Sequence, residues 1–386
     1  MTEQSDRVTV FEIFFDLVFV FAITRVISFM THSLTFLTLT RGLILLLLLW
    51  WSWCAYAWLG NQVRADQGLI QVGMLVAMVA LFVAGLVMPD AWGGRESLDA
   101  PLIVAITFAV VRVVYILSYL YAAGDDRRLR LQLLLETIPQ SLALAAIIVG
   151  AVLGGTALTA LWAGAFMIDF GCGRILSTLI RGYQLRSPAH FAERHGLVLI
   201  IALGESLISV GVGAGPSITK GIVLVAAGLG FAIAVCLYWL YFANVQEFAS
   251  RALEKASGVR RAQIGRDAYT FAHFPMIAGI LYMAVGIEEV VAHVARGGST
   301  VSGGAPLDWP SLIALFGGAA FYLVGRMAFL LIATKSFSPA QLVVAVASLL
   351  VIPAARNLPA IAALGLVGAL LICLVGYEQM RVSPES

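Results

Sequence analysis

Blocks of about 20 apolar residues recur along this chain from end to end, and nothing else in the sequence constrains its fold as tightly. A helix of that length spans the roughly 30 Å of a bilayer's hydrocarbon core. Lipid offers backbone amides and carbonyls no partner, so each block must satisfy its own hydrogen bonds as a helix. Twelve such blocks are predicted, near residues 11–31, 39–60, 69–88, 101–123, 131–152, 155–174, 194–213, 217–242, 268–293, 310–333, 338–353 and 357–377. The seventh is short, and the eleventh is bounded by Pro353. Composition agrees: of 386 residues, 61% are hydrophobic and 12% charged, about half the charged share of a soluble domain. The expected fold is an all-α polytopic integral membrane protein.

Lysine and arginine orient the blocks, because short cytoplasmic loops carry them in excess. With the N-terminus inside, sixteen fall in inside segments, five in outside loops and three (Arg25, Arg112 and Arg326) within spans. Twelve spans with both termini cytoplasmic in the inner cell membrane fit this bias. The start, "MTEQSDRVTV", lacks the basic flank and cleavage site of a signal peptide, so the first block is expected to stay as a span. The longest connection, about 175–193, contains "SPAHFAERHG". Ser187 suits a helix N-cap there and Pro188 the first turn, which predicts an approach helix running into the seventh span.

A repeat is visible at an offset of 180, where "FFDLVFVFAITRVIS" lies over "RHGLVLIIALGESLI". Each six-span set has an aromatic-rich second span, "LLWWSWCAYAWLGN" and "CLYWLYFAN", and one arginine in its fourth. Residues 1–186 and 187–386 then form two parallel halves related by an axis along the membrane normal, as in several transporters. Chance likeness between apolar segments is the competing explanation.

Charges inside spans cost about 2.5–3.5 kcal/mol each on insertion scales, so they should face protein or water and have partners. Glu12 and Asp16 lie one turn apart on a single face of the first span. Arg25, nine residues on and about 13.5 Å further, faces the opposite way. Glu205 sits near the middle of the seventh span, and an Arg25–Glu205 pair is the simplest expectation; such a pair can also serve only to fix helix register. Near the cytoplasmic side Asp16, Glu136, Asp169, Arg174, Glu193, His195 and His273 could gather as a proton relay or as interfacial hydrogen-bonding groups. Glu289 and His293 share a face near the outer end of span nine, but no third metal ligand is identifiable. Asn61 and Asn244 end the two second spans, where they could cap or coordinate.

Cys54, Cys172, Cys236 and Cys373 are isolated, with no C-x-x-C, and read as small buried side chains. A net charge of +2 gives no footing for nucleic acid. There is no P-loop, H-E-x-x-H or G-x-S-x-G, so no enzyme and no cofactor is expected, and any transport would draw on a gradient.

The segments "FFDLVFVFAIT", "WWSWCAYAWL", "HFAERHGLVLIIALGES" and "YWLYF" resemble the low temperature requirement protein A (LtrA) family of bacterial integral membrane proteins. The resemblance runs from about residue 11 to 290 and implies fold and location more firmly than activity. The family's motif residues map to Phe14, Phe15, Asp16, Glu193, Arg194, His195, Gly204 and Glu205, while Arg25 stands where the family commonly has glutamine. "FFDLVFVFAIT" is also similar to the F-S-D first-helix motif of a potassium-channel family of six-span repeats, with Phe15 in place of serine. That likeness implies that Asp16 locks helices together.

Three readings follow. The first is a gradient-driven transporter of a small ionic or zwitterionic solute, with Asp16, Arg25 and Glu205 at its site. The second is an ion channel, often a homodimer, whose first and seventh spans line a pore. The third is a membrane scaffold or sensor whose charges only brace helices. A transporter predicts a closed cavity with charges facing it; a scaffold predicts none.

Overall fold

The computed structural model describes residues 7–93, 99–179, 185–243, 245–297 and 304–382. Asn244 of the sequence reading lies outside the described residues, as do two of the loop arginines counted there, Arg95 and Arg181. The helices are α1 (Val10–His32), α2 (Phe36–Gln62), α3 (Gly68–Val87), α4 (Asp99–Ala123), α5 (Arg127–Leu153), α6 (Gly155–Leu179), α7 (Pro188–Ala214) and α8 (Gly221–Phe242). They continue as α9 (Val245–Lys255), α10 (Gly258–Arg296), α11 (Trp309–Thr334), α12 (Pro339–Ala355) and α13 (Ala360–Val382). Among the described residues no strand forms, as a bilayer-spanning chain without a closed barrel requires. Many large apolar side chains remain exposed, including Leu17, Val79, Leu117, Leu142, Val225 and Leu350, which in a soluble protein would be untenable.

Among the described residues, eleven helices are long and apolar enough to cross a membrane. The expected eleventh span is the exception. α12 has 17 residues, with Pro353 in its last turn, so it reaches only about 25 Å at 1.5 Å per residue. The expected short seventh span is instead 27 residues long, because the approach helix and the span are one continuous helix, α7. A further helix, α9, lies where the sequence reading placed only a connection. Its apolar positions Val245, Ala249 and Leu253 recur every four residues and are buried, but the segment is too polar to register as an apolar block.

Two compact units make up the chain, and neither is one continuous stretch. The first comprises residues 1–29, 40–194 and 256–265; the second comprises 30–39, 195–255 and 266–386. In the first unit, α5 reverses into α6 through Gly154 and Gly155, both at positive φ (67° and 56°). That left-handed pair is a conformation side chains resist, and it closes the hairpin without a loop.

In the second unit, α10 and α11 touch backbone to backbone. A Cβ on Gly279 would lie 2.5 Å from the Tyr322 nitrogen, and one on Gly286 would lie 2.7 Å from Leu315 Cα. Across the contact, Gly318 and Gly325 are equally tight against Met283 and Met276. Glycines seven apart on both helices form a smooth face that permits this approach, the packing mode favoured where lipid removes the hydrophobic drive between helices. Each helix carries a π-helical stretch, Gly265–Ala272 in α10 and Ile313–Gly317 in α11, a distortion that often accompanies functional sites.

The status of α12 can be tested with cysteines at Ser336 and Asn357, on either side of it and both exposed. In a background whose four native cysteines are serine, a membrane-impermeant thiol reagent should label the two from opposite faces. Labelling from one face would make α12 a re-entrant helix.

Candidate functional site

The first unit is built around a buried cluster where α1, α2 and α7 meet. α1 starts with a capping box: Thr9 Oγ1 accepts from the Glu12 amide at 3.2 Å, and the Glu12 carboxylate accepts from the Thr9 amide at 3.0 Å. α7 starts with Ser187 Oγ accepting from the His190 amide at 3.4 Å, and Pro188 occupies the first turn. These two helix starts bring two one-turn pairs face to face, Glu12 and Asp16 against His190 and Arg194.

Their side chains interlock. His190 Nε2 lies 3.0 Å from Glu12 Oε2. Arg194 donates from Nη1 to Glu12 Oε1 at 3.3 Å and to the Tyr56 carbonyl at 3.2 Å, and from Nη2 to Asp16 Oδ1 at 3.1 Å. Trp53 of α2 donates its indole N–H to the same Asp16 oxygen at 2.7 Å. The guanidinium lies over the rings of Phe15 and Trp53, each centroid 5.6 Å away, adding a cation–π contribution in a dry setting. None of Glu12, Asp16, His190 or Arg194 is more than 4% exposed. Gly60 makes room for the cluster, since a Cβ there would sit 2.5 Å from Glu12 Oε1. Just outside, Asn61 fixes the chain entering α7 by accepting from the Arg186 amide at 2.8 Å and donating to the Ser187 carbonyl at 2.6 Å.

Charge counting defines what this cluster can do. Two carboxylates face one permanent cation, Arg194, and the fourth member, His190, is charged only when protonated. A buried group of charges is least costly when neutral. Neutrality here needs one exchangeable proton, held on the imidazole or on a carboxylate. Asp16 Oδ2 and His190 Nδ1 are buried without a hydrogen-bond partner, which leaves positions a proton could visit.

Deeper in the same unit, Arg112 of α4 donates from Nη2 to Asp169 of α6 at 2.5 Å. The pair lines a small, partly open cleft between α2, α4, α5 and α6, of about 20 Å³, room for about one water. Glu136 is buried within electrostatic reach of Tyr115 and Tyr119. Glu193 accepts from the Val8 amide at 3.3 Å at the exposed edge. Arg25, also of this unit, has a buried Nε with no hydrogen-bond partner.

In the second unit, Arg326 of α11 meets Glu378 of α13 in a two-pronged pair (3.0 and 2.7 Å) and donates from Nε to the Leu240 carbonyl at 2.6 Å. Gln341 of α12 donates to the same carboxylate at 3.0 Å. His195 and His273 stand edge to face, 5.3 Å between ring centroids, inside a box formed with Tyr241, Tyr269 and Phe329. Tyr241 Oη lies 3.2 Å from His273 Nε2. Glu205 is 2% exposed in this unit. Because Arg25 and Glu205 belong to different units, their pairing stays an expectation of the sequence. Near the end of α10, Glu289 contacts His293 and Arg296 at 3.5 and 3.7 Å. Among the described residues, no three metal-ligating side chains converge.

The expected cytoplasmic group is thus distributed. Asp16 joins Glu12 and Arg194, Asp169 joins Arg112, and the two histidines pair in the second unit. Sequence reasoning named Arg194 as a family motif residue while also counting it among the inside-facing cations; it is wholly buried. It passed over His190 and Glu378, and took Trp53 only as part of an aromatic-rich span. His190 carried a signal, since it precedes Arg194 by one helical turn just as Glu12 precedes Asp16. Glu378 is the one carboxylate in the last apolar helix, a position an unpaired Arg326 called for.

An all-helical, multi-pass membrane protein whose buried charges are gathered into separate intramembrane clusters is the class that fold and site define. The chain belongs to the family described as bacterial low temperature requirement A protein (LtrA), whose model matches residues 7–376. An uncharacterized protein of Rhizobium meliloti (strain 1021) is 24% identical over 326 residues, covering 82% of this chain and 75% of that one. No solved structure matches.

Removing Arg194 leaves two buried carboxylates uncompensated. Arg194→Met should destabilise the detergent-solubilised protein by about 3–5 kcal/mol, and combining it with Glu12→Gln and Asp16→Asn should recover much of the loss in thermal melts. Gly60→Ala should cost about 1–3 kcal/mol through overpacking against Glu12.

Proposed function

We propose that this protein is a proton-gradient-driven transporter of a small ionic or zwitterionic solute in the bacterial inner membrane, with both termini cytoplasmic. The observation that carries the reading is the charge imbalance of the Glu12–Asp16–His190–Arg194 cluster. A group that is neutral only with one mobile proton, buried at the start of two membrane helices, suits a coupling site better than a brace. Proton relays in pumps and transporters use carboxylate and histidine chains of this kind.

The two-half architecture typical of such transporters has support of its own. Arg112 and Asp169 link the fourth and sixth helices of the first six. Arg326 and Glu378 link the corresponding helices, fourth and sixth when the polar α9 is left out, of the second half. An arginine–carboxylate pair at equivalent positions is what duplication of a six-helix ancestor would leave. Against transport stands the scaffold reading, whose support is that both carboxylates and Arg194 of the cluster are already paired.

Proteoliposomes decide between these readings. Under an imposed pH gradient, with glycine betaine, L-leucine or L-glutamate outside, the parent should show solute-dependent proton flux, and His190→Gln should reduce it at least tenfold while melting normally. Potassium conductance that survives His190→Gln would favour the channel. A folded parent that moves neither protons nor potassium with any of these solutes would favour the scaffold.

A further inference from the structure

We propose that Glu288 of the second unit is a reversible proton-binding site, formed where the ends of α1 and α7 pack against α10. The starting point is a contrast between two consecutive glutamates. Glu289 takes the cations of this helix end, lying 3.5 Å from His293 and 3.7 Å from Arg296. Glu288 projects about 100° further round the helix. It forms no ion pair among the described residues, and its carboxylate is instead hydrogen-bonded by the hydroxyls of Thr31 on α1 and Ser209 on α7.

Those hydroxyls decide what the site can hold. A guanidinium or an ammonium group only donates, so it keeps a carboxylate ionised. A hydroxyl donates to a carboxylate and accepts from a carboxylic acid, so Thr31 and Ser209 satisfy Glu288 in either state. An ionised carboxylate inside a span and without a counter-charge is costly, and a proton is the smallest ligand that removes the charge. A hard divalent cation would want six or more oxygens, whereas these three side chains supply one carboxylate and two hydroxyls.

Packing holds the group in place. Gly213, one turn after Ser209, brings α7 against α10 at Glu288 itself: a Cβ there would lie 2.5 Å from the Glu288 carbonyl oxygen and 3.1 Å from Val291 Cβ. Ser209 is 3% exposed at this contact. Water is nevertheless close. Glu288 is eight residues from the end of α10, Ser209 five from the end of α7 and Thr31 one from the end of α1, at most about 12 Å of helix. Glu288 and Thr31 are half-buried, which gives a proton a way in and out. The other titratable groups on the neighbouring elements are few. Glu205 lies one turn before Ser209 on the buried face of α7, and His32, beside Thr31, is exposed. Lys220, just before α8, donates to the Ala295 carbonyl at 2.9 Å, and Asp308 caps the start of α11.

This inference does not rest on transport, because a sensor would use such a site as well, and it is tested at equilibrium without any gradient. Infrared difference spectroscopy on the full-length protein in lipid nanodiscs, between pH 6 and pH 9, reads it directly. The parent should show a protonated-carboxyl C=O band at pH 6 that is lost at pH 9. Glu288→Gln should remove that band, and Glu288→Asp, which keeps an acid, should shift it, so the assignment does not depend on one variant folding. The double variant Thr31→Val/Ser209→Ala, which takes away the donors to the ionised form, should carry the band on to pH 9. Replacing choline chloride by sodium chloride should leave it unchanged. A spectrum at pH 6 that neither Glu288 variant alters would make Glu288 a fixed carboxylate. A Glu288 band that persists in the parent at pH 9 would make it a permanent acid, and one that sodium abolishes would make it a metal-cation ligand. Each of these results would overturn the proposal.

Discussion

A guanidinium that touches no water must be held by anions, and Arg194 is the point from which the first unit's architecture can be traced. Its fork engages carboxylates on α1 and a backbone carbonyl on α2 while its own backbone begins α7. Two consecutive helices and a third more than a hundred residues on thereby share one neutralising centre. The surrounding choices follow from that centre. Gly60 is small because the carboxylate beside it needs the space, Trp53 has a hydrogen-bonding edge because Asp16 needs a second donor, and Thr9 caps the helix whose first turn supplies Glu12.

The second unit solves the same problem differently. Its glycine-smoothed crossing of α10 and α11 brings backbones together without charge, and its two-pronged pair between helices, Arg326–Glu378, is flanked by a glutamine from α12. Two histidines and two tyrosines are packed against one another and Phe329 in place of a salt-bridge network. The first unit concentrates titratable charge and a cleft; the second concentrates close packing.

Much of this fold was legible in the sequence because hydrocarbon is an undemanding solvent to read: length and apolarity alone mark a crossing helix. Where reading failed, polarity was the reason. α9 buries only Val245, Ala249 and Leu253, a stripe too thin to register against its charges. The helix start at Pro188 was legible from its cap, but its first turns carry so many polar groups that the span itself was read as beginning only near residue 194. The site was less legible than the fold, since a one-dimensional charge count assigns an arginine near a span's end to water. Arg194 belongs to carboxylates 178 and 182 residues away, and only the folded chain shows that. Asp16 was recognised as needing a partner on another helix, because its position on one face of α1 excluded Arg25. Periodicity constrains what cannot meet more firmly than what does.

That separation along the chain also orders events during synthesis. Glu12 and Asp16 leave the ribosome 182 and 178 residues before Arg194, the cation that neutralises them, an interval of roughly 10 to 35 seconds at ordinary translation rates. Throughout it, the first helix carries two carboxylates with no permanent counter-charge, and burying them then would incur the full insertion penalty. Its charged end waits near water until α7 arrives, so two helices that meet in the fold are joined only after the five between them have been made.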